Sequence, residues 1–188
     1  MAESDLRTVL IADVGGYTRF AGEPDDEASE LEEKFEATVR NTLGEFGGQL
    51  EVRDGRAVCV FGSARQALRA AIALQRDLRR ALPLGVGIGL DSGEAVPAED
   101  GYSGGAVDTA SRLCAAAGPG RVLATDTVVH LGQRVAGIDY GAPKPMRLVG
   151  TKGRTRVQEL TSTEPLPPVP IMKGQREPEG RRRLPWRR

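Results

Sequence analysis

Thr8-Val9-Leu10-Ile11-Ala12-Asp13-Val14-Gly15-Gly16-Tyr17-Thr18 is the stretch from which the fold of this chain is read. Thr8 to Ala12 are all apolar or β-branched, and they run directly into Asp13. A continuous run of this kind reads as a central strand covered on both faces. An acid at its end stands where α/β sheets place ligands, just beyond the carboxyl end of a strand. Gly15 and Gly16 let the backbone approach a ligand, with N–H groups free to face phosphate oxygens. The stretch therefore offers Asp13 to a divalent cation, and residues 15–18 to the phosphates that accompany it. The plain alternative is a buried strand followed by an ordinary Asp/Gly turn.

Outward from this strand, Pro24, Asp25, Asp26 and Glu27 place a proline and acids at a helix start, where the helix dipole favours negative charge. Leu31, Phe35, Val39, Leu43 and Phe46 recur every three or four positions, which makes one amphipathic helix that Gly47-Gly48 stops. Residues 49–53 and 57–61 read as two strands around Asp54-Gly55, a strong hairpin signal. Ser63 caps a second helix running to about residue 82, with Ala67, Leu68, Ala71, Leu74 and Leu78 on its inner face and Pro83 beyond it.

Residues 86–91 alternate glycine with Val, Ile and Leu, a strand against which something packs closely. Residues 98–105 read as a loop and 106–117 as an alanine-rich helix stopped by Gly118-Pro119-Gly120. A strand at 121–124, a short helix at 125–131 and a closing hairpin of 146–149 with 155–160 follow. Helices set between hairpins point to an α+β sandwich of ferredoxin-like type, a mostly antiparallel sheet with helices packed on it.

Composition sets the outer limits. The 188 residues suit one domain and a tail, with the domain over 1–160 and the tail over 161–188. Aromatics make up only 4% of the chain, so Ala, Val and Leu must fill the core. No apolar run is long enough to span a bilayer, and no secretory segment follows Met1, so a cytoplasmic setting is expected. Cys59 and Cys114 lack metal-ligand spacing and read as buried free thiols, while His130 is the single histidine. A histidine-based zinc site or a Ser-His-Asp triad has little to draw on.

The formal charge is zero, yet residues 161–188 hold seven basic side chains against three acidic ones. An acidic domain thus carries a basic, proline-rich arm that cannot build a core and reads as disordered. The arm, with Trp186 among its arginines, offers weak attraction to polyanions or anionic membranes. The folded part is acidic and lacks the aromatic stacking motif of RNA-recognition sheets, so no specific nucleic-acid partner is expected.

Taken in order, Leu10-Ile-Ala-Asp13-Val-Gly-Gly-Tyr-Thr18, residues 53–61 with the helix that follows, Gly87-Ile-Gly-Leu-Asp-Ser-Gly-Glu94, Gly104-Gly-Ala-Val-Asp-Thr-Ala-Ser-Arg-Leu113 and Gly118-Pro-Gly-Arg-Val-Leu-Ala124 resemble the class III nucleotidyl cyclase domain, the catalytic unit of adenylate and guanylate cyclases. The similarity covers residues 7–160. It implies conversion of ATP or GTP to the 3′,5′-cyclic nucleotide and pyrophosphate, in cyclic-nucleotide signalling. It also implies two Mg²⁺ or Mn²⁺ ions on two aspartates and a site between two subunits, as a homodimer or with another cyclase domain. By resemblance, an arginine stabilises transition-state charge, an asparagine orients the ribose and a lysine grips the phosphates.

Carried over position by position, Asp13 matches the first metal aspartate and Arg112 the transition-state arginine. The second metal aspartate aligns with Gly55, one residue past Asp54. Either the turn re-registers and brings Asp54 to the metal, or Asp54 is a plain turn residue. Glu51 falls where the family reads the base, and a glutamate there resembles guanylate cyclases; a solvent-facing strand residue is the alternative. Asp108 stands in place of the ribose-orienting asparagine, and an i,i+4 ion pair with Arg112 is its ordinary alternative. The lysine aligns with Val149, with Lys152 three residues on. These departures leave two functions open: a cyclase of weak activity, or an inactive pseudo-cyclase that dimerises, binds nucleotide or regulates a partner.

Overall fold

The structure is a computed structural model that describes residues 5–14, 25–99 and 101–168. Gly15, Gly16, Tyr17 and Thr18 lie outside the described residues, as does the arm from residue 169 onward.

Strand β1 (Asp5–Asp13) organises the sheet, pairing antiparallel with β3 (Arg56–Phe61) on one side and β4 (Gly87–Ala98) on the other. Its apolar run is buried on both faces, as the sequence requires. Leu10 and Ala12 enter a core shared with Phe35 and Val39 of helix α1 (Asp25–Leu43) and with Leu68, Ala71 and Leu74 of helix α2 (Ala64–Ala81). Val9 and Ile11 face the other way, against Ala106 and Ala110 of helix α3 (Gly105–Ala117). Each large apolar side chain so buried contributes about 1.5–3 kcal/mol.

The expected helices form, with identifiable limits. In α1, Leu31, Phe35, Val39 and Leu43 are buried on one stripe, and a 3₁₀ turn at Gly44–Phe46 closes the helix before Gly47 in the left-handed region. In α2, Ser63 Oγ accepts a hydrogen bond from the Gln66 backbone N–H, and the Leu82 N–H bonds the Leu78 carbonyl. Strand β2 (Gln49–Arg53) joins β3 through Asp54 (φ 49°) and Gly55 (φ 71°), two left-handed residues in succession. This is the two-residue turn whose twist matches a hairpin.

The glycine alternation in β4 has the cause its pattern suggests. A Cβ on Gly89 would collide with the backbone of Ala110 and Cys114, and one on Gly87 would stand 2.8 Å from the Cys114 carbonyl. Helix α3 therefore rests directly on the β4 backbone.

The sheet runs β2-β3-β1-β4-β6-β9-β7, with β6 (Val122–Thr125), β7 (Ile138–Tyr140) and β9 (Thr155–Ser162). Among the described pairs only β4 with β6 is parallel, and α3 makes that crossover. Helix α4 (Asp126–Gly132) follows β6. Among the described residues the architecture is mixed α+β, a mostly antiparallel sheet with four helices packed on it.

Four expectations are corrected. The strand at 86–91 continues to Ala98, and the expected loop at 98–105 holds β5 (Gly101–Ser103), which folds back on β4. The closing hairpin uses β8 (Lys144–Met146), so Val149 lies beyond the strand, in the connection to β9. Strand β7, absent from the expected order, pairs with the far end of β9. Strand β9 itself runs to Ser162, past the expected limit at 160, and the Arg79 Nη1 group donates to the Pro167 carbonyl at 3.0 Å.

Candidate functional site

Asp13 closes β1 with its side chain half-buried, directly opposite Arg56 in the β1–β3 ladder and Gly87 in the β1–β4 ladder. Arg56 Nη1 is 3.8 Å from Asp13 Oδ2, and Arg56 Nη2 donates to Ser111 Oγ of α3 at 3.0 Å. The Val14 N–H donates to the Gly55 carbonyl at 2.8 Å, which ties the end of β1 to the tip of the β2–β3 hairpin.

Cys114 lies beside this cluster, its Sγ donating to the Gly87 carbonyl at 3.3 Å. Burial, with the nearby charge of Asp13 adding to it, pushes the Cys114 thiol up to about 12. Burial alone pushes the Cys59 thiol up to about 12. Both are free, buried thiols that stay protonated at neutral pH, so neither offers a thiolate to a metal or a substrate.

Asp54 is exposed on the hairpin turn. The turn reaches the end of β1 through the Gly55 carbonyl, which accepts from the Val14 N–H, while the residue opposite Asp13 in the ladder is Arg56. Among the described residues, no group of three or more His, Cys, Asp and Glu side chains is placed to hold a metal ion.

Glu51 is half-buried on β2. Its Oε1 lies 3.5 Å from Arg53 Nη2, and its carboxylate packs directly on Gly101 of β5. The Tyr102 hydroxyl donates to Gln49 Oε1, so the β4–β5 arm covers this part of β2. Glu51 thus lies against the arm, with its side chain still 32% exposed.

Asp108 and Arg112 are on α3, and among the described residues they make no ion pair with each other. Asp108 is exposed in the first turn. Arg112 extends toward the connection after β8: a Cβ on Gly150 would lie 3.9 Å from its Nε and Nη2 atoms. Val149, next to Gly150, is 90% exposed, and the turn around it is closed by the Thr151 hydroxyl bonding the Leu148 carbonyl at 2.9 Å. Lys152 is exposed in the same connection.

The chain therefore presents three separate groupings: Asp13 with Arg56 and Ser111, Glu51 under the β5 arm, and Arg112 against the Val149 turn. The sequence reading did not single out Arg56 or Ser111. The two-residue turn placed Arg56 at the start of β3, but its contact with Asp13 depends on the β1–β3 register, which long-range pairing sets.

No protein-family model matches the chain. In sequence it is 30% identical to the "Putative adenylate cyclase 3" of Rhizobium meliloti (strain 1021) over 188 aligned positions, which take in 88% of this chain and 32% of that protein. The chain thus spans about a third of that relative's length. In structure it superposes on the guanylyl cyclase Cya2 with a TM-score of 0.75 at 19% identity, over 90% of this chain and 99% of that one. It superposes on an adenylate/guanylate cyclase/hydrolase from Silicibacter pomeroyi with a TM-score of 0.74 at 23% identity, over 86% of this chain and 99% of that one. This chain therefore has the fold of the adenylate and guanylate cyclase domains, and over 88% of its length it is related in sequence to a putative adenylate cyclase.

Proposed function

We propose that the chain is a nucleotidyl cyclase unit that binds a nucleoside triphosphate at the Asp13 end of β1 and closes it slowly to the 3′,5′-cyclic nucleotide. The observation that carries this reading is that Asp13 stands half-buried at the strand end while Arg112, in a separate grouping on α3, is presented without an acidic partner among the described residues. In the reaction the ribose 3′-oxygen bonds the α-phosphorus, the bond to pyrophosphate breaks, and the hydroxyl proton leaves to solvent.

A divalent cation, Mg²⁺ or Mn²⁺, supplies charge neutralisation and lowers the pKa of the attacking hydroxyl when bound. Asp13 suits one such ion as an oxygen ligand. The described residues do not fit a second: Asp54 is on an exposed turn, and a guanidinium faces Asp13 instead. Arg112 stabilises the charge that develops on the phosphate, and losing such a group typically costs ~10²–10³ in rate. In a symmetric dimer, Arg112 and Asp108 of one copy complete the site formed by Asp13 of the other. Glu51 reads the base, and its carboxylate fits the N–H donors of guanine. Residues 15–18 meet the phosphates. Nucleotide substrates and reduced thiols suit a cytoplasmic setting.

A second reading, a pseudo-cyclase that holds nucleotide or a cyclase partner without turnover, is favoured by Val149 where a phosphate-gripping lysine would serve. The test is chromatographic detection of cyclic product from ATP or GTP with Mn²⁺. Product that vanishes in Asp13→Ala and Arg112→Ala supports the cyclase. A folded, dimeric protein that makes no product with either nucleotide overturns it in favour of the second reading.

A further inference from the structure

Arg56 is held by three independent constraints. The β1–β3 register sets it opposite Asp13, the Val14-to-Gly55 hydrogen bond fixes the turn before it, and Ser111 accepts from its Nη2 group at 3.0 Å. These leave Nη1 at 3.8 Å from Asp13 Oδ2, a charge contact rather than a tight fork, with other N–H donors of the guanidinium uncommitted to that carboxylate. Because the Arg56 guanidinium already stands 3.8 Å from Asp13 Oδ2, a second divalent ion on that carboxylate would meet a resident like charge. A dication suffers twice the repulsion that a unit charge would at the same spacing.

We propose that Arg56 is a built-in cation in the place of a second metal ion, leaving Asp13 one divalent ion and turning the guanidinium toward the polyphosphate. The planar group presents paired donors that match phosphate oxygens, which a single-ion site otherwise lacks. Ser111 is its positioning residue, linking this charge to the helix that also carries Arg112. The inference rests on the reading of Asp13 as a cation ligand, and its test is read without turnover, so the two fail separately.

The experiment measures two affinities on the whole chain: Mn²⁺ by the loss of its free electron-spin-resonance signal, and inorganic tripolyphosphate by calorimetry in EDTA. Wild type is expected to bind one Mn²⁺. Arg56→Gln, which keeps a donor toward Ser111 while removing the charge, is expected to bind Mn²⁺ about tenfold tighter and metal-free tripolyphosphate several-fold weaker. A purely structural role for Arg56 would weaken both. Arg56→Lys keeps the charge and should stay near wild type in Mn²⁺ affinity, and Asp13→Asn should lose Mn²⁺ in either background. Two Mn²⁺ per wild-type chain, or an Arg56→Gln protein that binds Mn²⁺ no tighter, overturns the proposal. If Arg56→Gln fails to fold, Ser111→Ala carries the test. It frees the guanidinium and should raise Mn²⁺ affinity about threefold, and no change there overturns the proposal.

Discussion

Thr125 Oγ1 lies 2.6 Å from Asp91 Oδ1, joining the adjacent parallel strands β4 and β6 by their side chains. The carboxyl of Asp91 is pushed above the usual carboxylate range by burial, which outweighs the hydrogen bonds from Thr125, Ser92 and Thr109 that favour its charged form. In the native state Asp91 therefore holds its proton more readily than in the unfolded chain. Its stabilising contribution is fully present below the unfolded pKa and is lost as pH rises through the raised native one. Asp91→Asn removes that titration while keeping a carbonyl for Thr125. Thermal unfolding from pH 4 to pH 8 should show wild type losing stability relative to Asp91→Asn as pH rises. A constant difference between the two would refute this role.

Gly89→Ala tests the contact of α3 with the sheet. Its methyl group would enter the backbone of Ala110 and Cys114, where no flexible side chain can give way. Urea unfolding should show a loss of about 3 kcal/mol, the upper end of the overpacking range. Gly105→Ala, with no atom within 4 Å of its Cβ, is the matched control.

Much of this framework is legible in the sequence. The Gly87-Ile-Gly-Leu alternation announced a close approach and the structure supplies α3. Asp54-Gly55 announced a two-residue hairpin turn, and the Leu31-to-Leu43 spacing announced α1. The strands that went unread, β5 and β7, are three residues each, too short for a period-2 pattern to show. The candidate site was less legible for a different reason. Asp13 and Arg112 are visible as residues, but what faces Asp13 is decided by its pairing with a strand more than forty positions away. Residues 15–18, the expected phosphate cradle, lie outside the described residues.

Arg79 holds the segment after β9 to α2. Its Nη2 group donates to the Gly120 carbonyl at 2.6 Å and its Nη1 to the Pro167 carbonyl. Arg79→Ala should cost about 1–3 kcal/mol through these charge-assisted bonds and expose residues 163–168 to protease. Limited proteolysis with mass mapping checks this, and an unchanged cleavage pattern would count against the anchor.

Val149→Lys restores a cation where the family resemblance places one, next to Arg112. Because Val149 is almost fully exposed, the change should leave stability within about 0.5 kcal/mol. Metal-free triphosphate binding is expected to tighten about tenfold, read by displacement of a fluorescent nucleotide. Unaltered affinity would remove this turn from the phosphate site.

In this reading Asp13 of one copy and Arg112 of another build one cyclase site, which mixing two inactive variants tests. Asp13→Ala and Arg112→Ala are each expected to be inactive alone. Mixed in equal amounts, they should recover about a quarter of wild-type cyclic product, since half the dimers are mixed and each carries one intact site. Product that stays absent on mixing, while wild type remains active and mixed dimers form, would contradict the account.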